Sequence, residues 1–201
     1  MKLKHEHSQF RIVVANFAEN ATMKYYDDIM DKVEDIDVGL FVVNAALLQS
    51  GPLIDSDAKA CQAMLNTNVY QYGAMLHKIT ERLDQRPRNM RSGIIFVDSI
   101  TAEGCLDNMV LYCATKVFAK YLCMSTDYEN KVTGRKNIDI LCTQPGYLHT
   151  PESKDVDPTS VLLSDFVSGT FRDLGHEVTT FGTIYHEIIG RVIVLLTKHK
   201  H

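Results

Sequence analysis

The sequence predicts an α/β fold built on a parallel sheet, and three observations predict it. Short β-rich runs alternate with longer stretches of helical period along the chain. The run Val38-Gly-Leu-Phe-Val-Val43 is apolar throughout, the pattern of a strand covered on both faces. Breakers such as Gln85-Arg-Pro-Arg-Asn89 and Pro145-Gly146 stand at the transitions.

The elements follow in order. Phe10-Arg-Ile-Val-Val-Ala15 predicts a short strand, and residues 22–34 carry Met23, Tyr26, Ile29, Met30 and Val33 at helical spacing. Val38–Val43 predicts the next strand and Gly51-Pro52 the loop after it. A long helical stretch runs from about Asp57 to Asp84. Gly93–Asp98 predicts a third strand, a loop to Asn108 leads into a helix to about Lys131, and Asn137–Thr143 predicts a fourth strand. Residues 158–174 read as helical and 183–197 as helical or mixed. In such a sheet ligands bind at the carboxyl ends of the strands, so chemistry is expected just after Val43, Asp98 and Thr143.

Composition narrows the classes. Of 201 residues, 45% are hydrophobic and 23% charged, which excludes a disordered chain and predicts one globular domain over 1–201. A net charge of −4 offers no basic field to draw the chain onto nucleic acid. Five cysteines (Cys61, Cys105, Cys113, Cys123, Cys142) are odd in number and form no Cys-x-x-Cys pair, so they predict reduced thiols in a cytoplasmic setting. His5, His7, His199 and His201 sit in the termini and predict no metal site. No export leader is read at the charged N-terminus, and the longest apolar run, Ile188 to Leu196, falls far short of the roughly 20 residues of a membrane span.

Tyr112 and Lys116 lie four apart in a predicted helix and share one face. A nearby ammonium favours the phenolate, so the pair predicts a tyrosine with a lowered pKa acting as general acid/base. Taken alone, such a pair is an ordinary solvated helix face. Three further features accompany it. Ser99 follows the Gly93–Asp98 strand, thirteen residues before Tyr112; Asn68 lies inside the preceding helix; and Gln144-Pro-Gly-Tyr-Leu-His-Thr150 follows the next strand. Singly, Ser99 reads as a turn residue and Asn68 as a locally satisfied amide.

Together these residues resemble the short-chain dehydrogenase/reductase family, whose members carry an Asn, a Ser and a Tyr-x-x-x-Lys in this order, with Pro-Gly-x-x-x-Thr after the following strand. The resemblance covers residues 10–150 well and the C-terminal third weakly. It implies a Rossmann-like parallel sheet flanked by helices, interconversion of a ketone and a secondary alcohol with NADP or NAD, and homodimerisation. By position it implies that Tyr112 transfers the proton, Ser99 holds the substrate oxygen, Lys116 binds the nicotinamide ribose and depresses the tyrosine pKa, and Asn68 holds a relay water. It implies that Pro145, Gly146 and Thr150 line the nicotinamide pocket.

The departures carry weight too. The family's Asn-Asn-Ala-Gly stands here as Val43-Asn44-Ala45-Ala46, leaving Asn44 and Ala45 on the cofactor side. Asn16 occupies the place of the acidic residue that meets the adenine. No glycine precedes Gly39, so the glycine-rich phosphate turn is missing, and with it the family's first two strands and first helix. Weak dinucleotide binding is therefore expected, and Phe10–Ala15 is expected to pair directly with Val38–Val43, itself otherwise an apolar edge. Tyr112–Tyr121, Leu174-Gly175 and Thr180–His186 resemble the very-long-chain 3-oxoacyl-CoA reductase and 17-beta-hydroxysteroid dehydrogenase branch, which implies lipid-type ketones, NADPH and a place in the cytoplasm or at the periphery of the endoplasmic reticulum. The dimer contact is expected from helices around 62–84 and 109–131 through Met64, Tyr72, Met75, Leu76, Leu111, Phe118 and Leu122. Three readings stay open: an active oxidoreductase, a non-catalytic relative lacking the phosphate site, and a fragment of a longer enzyme.

Overall fold

The structure is a computed structural model that describes residues 8–150 and 158–198, so the four terminal histidines lie outside the described residues. Four parallel strands form its main sheet: β1 (Leu40–Val43), β2 (Ser92–Val97), β3 (Ile138–Thr143) and a two-residue strand over Thr179–Thr180, hydrogen-bonded in that order. In register, Leu40 faces Gly93, Gly93 faces Asp139, and Cys142 faces Thr179. The apolar run of β2 is buried on both faces as its sequence demands; Ile94 and Phe96 are fully enclosed. Each contributes roughly 1.5–3 kcal/mol of burial free energy.

Helices flank this sheet. The first, α1 (Met23–Asp31), opens at Thr22, whose side chain accepts from the Tyr25 N–H, and it docks on α3 by burying Tyr26. The long expected helix is three pieces in one path: α2 (Ala58–Leu65), a π turn at Asn66–Tyr70, and α3 (Gln71–Asp84). A π turn inserts one residue into the helical repeat and is frequent at functional sites. A 24-residue helix, α4 (Val110–Thr133), packs on β3, and Cys123 and Ala119 close the core against Ile140 and Cys142. Beyond β3, a two-stranded ladder pairs β4 (Leu148–His149) with β5 (Val161–Leu162). It leads to α5 (Leu163–Asp173), the strand β6 (Thr179–Thr180) and α6 (Ile184–Lys198). The close approach of α5 to the 182 turn requires glycine: a Cβ on Gly169 would stand 1.6 Å from Gly182 O.

Three expectations are corrected here. Phe10–Ala15 is not a strand and does not pair with Val38–Val43. Arg11 pairs with Asp35 and donates to Lys32 O (3.0 Å), and the Asn16 N–H donates to Tyr25 Oη (2.7 Å). These bonds tie the segment along α1 and away from the sheet, and Ile12 and Val14 are 88% and 89% exposed. As expected, β1 is then an apolar edge, with Leu40 and Val42 about half-exposed. Second, Met64, Tyr72, Met75 and Leu76 are core residues, unavailable to a partner chain. Phe118 of the expected set stays exposed on α4, and the same helix presents Val117, Tyr121, Met124 and Tyr128, spaced three or four apart along one stripe. Third, the C-terminal third starts its helix at Leu163 and contributes β6, which a two-residue run of threonine does not announce. Among the described residues no helix is long and apolar enough to cross a membrane.

Candidate active site

The carboxyl ends of β2 and β3 meet the first turns of α4. Ser99 follows β2 after Asp98 and caps a short 3-10 turn (Ile100–Glu103), its hydroxyl accepting from the Thr101 N–H at 3.2 Å. The Ile100 N–H donates to Pro145 O at 2.9 Å, which joins the end of β2 to the turn after β3. Ser99, Tyr112, Pro145 and Gly146 line one cavity of about 340 Å³. Leu48, Ile100, Leu106, Met109, Ile189 and Ile193 supply apolar walls, the last two from α6.

At Gly146 the chain packs closely against α6. A Cβ there would stand 3.0 Å from His186 Cδ2 and 3.2 Å from its Nε2. His186 is fully buried, shares a hydrogen bond of 3.1 Å between Nε2 and Tyr147 O, and has its pKa lowered by burial, which that carbonyl opposes.

Lys116 lies behind the cavity, 2% exposed. Its Nζ donates to Val97 O at 3.4 Å, lies 3.8 Å from Asp98 Oδ1, and stands 5.6 Å and 5.7 Å from the ring centres of Tyr112 and Tyr72. Tyr72 donates its hydroxyl to the same Val97 O at 3.1 Å. Burial lowers the lysine pKa and Asp98 opposes the shift. Burial raises Asp98 to about 7, against the pull of Lys116.

The tyrosine does not behave as its spacing from Lys116 predicts. Its pKa is raised: burial is the largest cause, Asp98 adds to it, and the Ser99 side chain pulls the other way. Lys116 does not offset that burial, since its ammonium is turned toward Val97 O and lies beside the Asp98 carboxylate.

Asn68 sits in the π turn, 1% exposed, and its side chain is committed. Its Nδ2 donates to Leu47 O (2.8 Å) and Thr115 Oγ1 (3.1 Å), and its Oδ1 accepts from the Leu47 N–H (2.8 Å). The amide therefore pins the loop after β1 to α4, a role sequence spacing does not reveal. Asn44 and Ala45 are exposed in that loop; the Gln71 amide nitrogen, in the orientation its neighbours require, donates to Ala45 O at 3.2 Å and Thr67 O at 2.7 Å. Thr150 follows β4 on the same side of β3 as Pro145 and Gly146 in the chain. Asn16 does not line the cavity; its Oδ1 accepts from the Ala18 N–H at 3.1 Å in a local turn.

Sequence reasoning missed Asp98, Tyr72 and the α6 wall. Asp98 had a signal, a carboxylate closing an otherwise apolar strand; Ile189 and Ile193 had none beyond helical spacing. Among the described residues no cluster of His, Cys, Asp or Glu could hold a metal ion.

The family model described as short chain dehydrogenase matches residues 1–160. The chain is 24% identical over 190 residues to the 17-beta-hydroxysteroid dehydrogenase type 3 of Danio rerio, covering 91% of this chain and 59% of that protein. It thus spans about three-fifths of the length of that relative. Among solved structures it is similar to a 7beta-hydroxysteroid dehydrogenase (TM-score 0.75, 19% identity, 92% of this chain, 74% of that one). A Burkholderia cenocepacia short chain dehydrogenase in complex with NADP superposes with TM-score 0.72 at 18% identity, over 93% of this chain and 77% of that one.

Proposed function

The chain belongs to the short chain dehydrogenase family, and on that premise we propose that it interconverts a bulky apolar ketone and its secondary alcohol, with Tyr112 as acid/base and NADP or NAD as the hydride carrier. The observation that carries this reading is the convergence of Ser99 and Tyr112 on one apolar cavity, with Lys116 buried against the tyrosine ring. A cavity of about 340 Å³ lies at the lower end of the range that small-molecule sites occupy, roughly 300–1,000 Å³. Its aliphatic walls suit a steroid- or acyl-type carbon skeleton better than a charged metabolite, in keeping with the name of the zebrafish relative.

The residues present fit the nicotinamide end of the dinucleotide. Pro145 and Gly146 line the cavity with Tyr112, Lys116 lies against the Tyr112 ring, and Lys116 and Thr150 are our candidates for partners of the ribose and amide. When bound, the dinucleotide supplies or takes the hydride at the carbonyl carbon. Tyr112 gives its phenolic proton to the carbonyl oxygen in reduction and takes it back in oxidation. Ser99 donates to that oxygen as charge develops on it. The leucine, isoleucine and methionine walls lower the polarity around both contacts, which strengthens them. Asn68 acts through the loop it pins.

A second reading, a non-catalytic relative or a segment of a longer enzyme, is favoured by one observation: no glycine precedes Gly39, so these residues offer the phosphates no glycine-rich turn. We further propose a homodimer through the α4 stripe of Val117, Tyr121, Met124 and Tyr128. The function is tested by following NADPH and NADH oxidation with a panel of steroid and 3-oxoacyl ketones. Turnover in the wild type, abolished by Tyr112→Phe with the fold intact, is the expected result. Equal rates in the two proteins would remove Tyr112 from the mechanism.

A further inference from the structure

Asp98 plays no part in the chemistry above, yet it is the charged group most closely joined to it. Its side chain is 0% exposed and that of Lys116 2%. Oδ1 has no hydrogen-bond partner and lies 3.8 Å from Lys116 Nζ; Oδ2 accepts from Cys142 Sγ at 3.6 Å. Every titratable group facing it can be named. Lys116, Lys120 and Tyr112 face it from α4, Tyr72 from α3 and Cys142 from β3.

Two bonds retract the ammonium. One is to Val97 O, the last carbonyl of β2, and the other is the ion pair with the next residue, Asp98. Both anchors belong to the strand end, while Tyr112 approaches from α4. An ammonium and a carboxylate 3.8 Å apart present little net field to a hydroxyl beyond them, so the lysine's pull on the phenol is largely cancelled.

We propose that Asp98 is a positioning residue that holds Lys116 retracted against the end of β2 and so keeps Tyr112 in the phenol form. The proposal rests on the reading of Tyr112 and Lys116 as the acid/base pair. A phenol is the form that gives a proton to a carbonyl oxygen; a phenolate is the form that takes one from an alcohol. The raised pKa of Tyr112 agrees with this division of roles.

The test needs no substrate. Phenolate absorbance is titrated in the whole chain and in Tyr112→Phe, and the difference isolates Tyr112. In the wild type it is expected to titrate above the ordinary value near 10. Asp98→Asn frees the ammonium to approach the phenolate and is expected to lower that titration by about one unit or more, within the roughly 1–3 units an opposite charge at this range produces. Adding Lys116→Met to Asp98→Asn is expected to reverse the drop. An unmoved Tyr112 in folded Asp98→Asn, or a drop that persists in the double variant, overturns the proposal. Should Asp98→Asn fail to fold alone, the charge-neutral double variant Asp98→Asn with Lys116→Met is titrated instead. The double variant then decides, because removing both members of a cancelled pair predicts a Tyr112 shift of less than about half a unit, and any larger shift refutes it. Absence of ketone turnover in the wild type would sink the enzymatic reading without moving these titrations, so the two failures are distinguishable.

Discussion

Replacing Asn68 with alanine should loosen the active-site loop and destabilise the chain measurably. The side chain makes three hydrogen bonds, two with the Leu47 backbone at 2.8 Å and one with Thr115 at 3.1 Å. Each such bond contributes roughly 0.5–1.5 kcal/mol net. Thr115 keeps its bond to Tyr112 O, and the Leu47 backbone, in an exposed residue, can turn to water. The loss therefore falls in the lower part of the summed range, about 1.5–3 kcal/mol. For a chain of this length about 1 kcal/mol moves Tm by roughly 2–4 °C, so Asn68→Ala should melt about 3–12 °C lower. Asn68→Asp keeps the acceptor for the Leu47 N–H and loses both donors, so it should also destabilise. Differential scanning calorimetry reads the shift. Proteolysis should show new cleavage in the loop between Asn44 and Gln49, because the amide that pins it is gone. A Tm for Asn68→Ala within about 1 °C of the wild type would show that the π turn and the packing of α2 hold the loop without the amide.

Three further outcomes are expected. The 201-residue chain should bind NADPH and NADH in the millimolar range by isothermal titration. Losing two or three charge-assisted phosphate contacts at roughly 1.5–3 kcal/mol each removes about two to six decades of affinity, and a micromolar constant would refute this. Because the folded pKa of Asp98 stands at about 7, above its ordinary 3.8, the folded state holds that proton more tightly than the unfolded state. Stability should then fall as pH rises from about 4 to 7, and Asp98→Asn should flatten that decline in urea unfolding curves; parallel pH profiles would contradict it. Tyr121→Glu with Tyr128→Glu on α4 should convert a homodimer to a monomer in sedimentation equilibrium, and a wild type that already sediments as one chain would defeat the dimer proposal.

The alternation of apolar strands with helical stretches was enough for the parallel α/β sheet, because a strand buried on both faces leaves an uninterrupted apolar run that few other structures produce. Tyr112, Lys116, Ser99 and the Pro145-Gly146 turn were legible as a set, through their resemblance to the family's motif. Spacing alone puts Tyr112 and Lys116 on one helical face, while the meeting of Ser99, Tyr112, Pro145 and Gly146 at one cavity is made by the sheet. Phe10–Ala15 shows the limit. Its β-branched run has strand propensity, but a strand needs a partner edge, and the bonds of Arg11 and Asn16 to the α1 region hold the segment elsewhere. Asn68 shows another. The residue could be picked out, but its work of pinning Leu47 depends on a partner 21 positions away. The protonation of Tyr112 was decided wholly by the tertiary structure. The i, i+4 spacing brings an ammonium near the ring, yet the fold places Asp98 and the Val97 carbonyl around that ammonium, and a pKa answers to the summed field and desolvation at one point in space, which no spacing along the chain encodes.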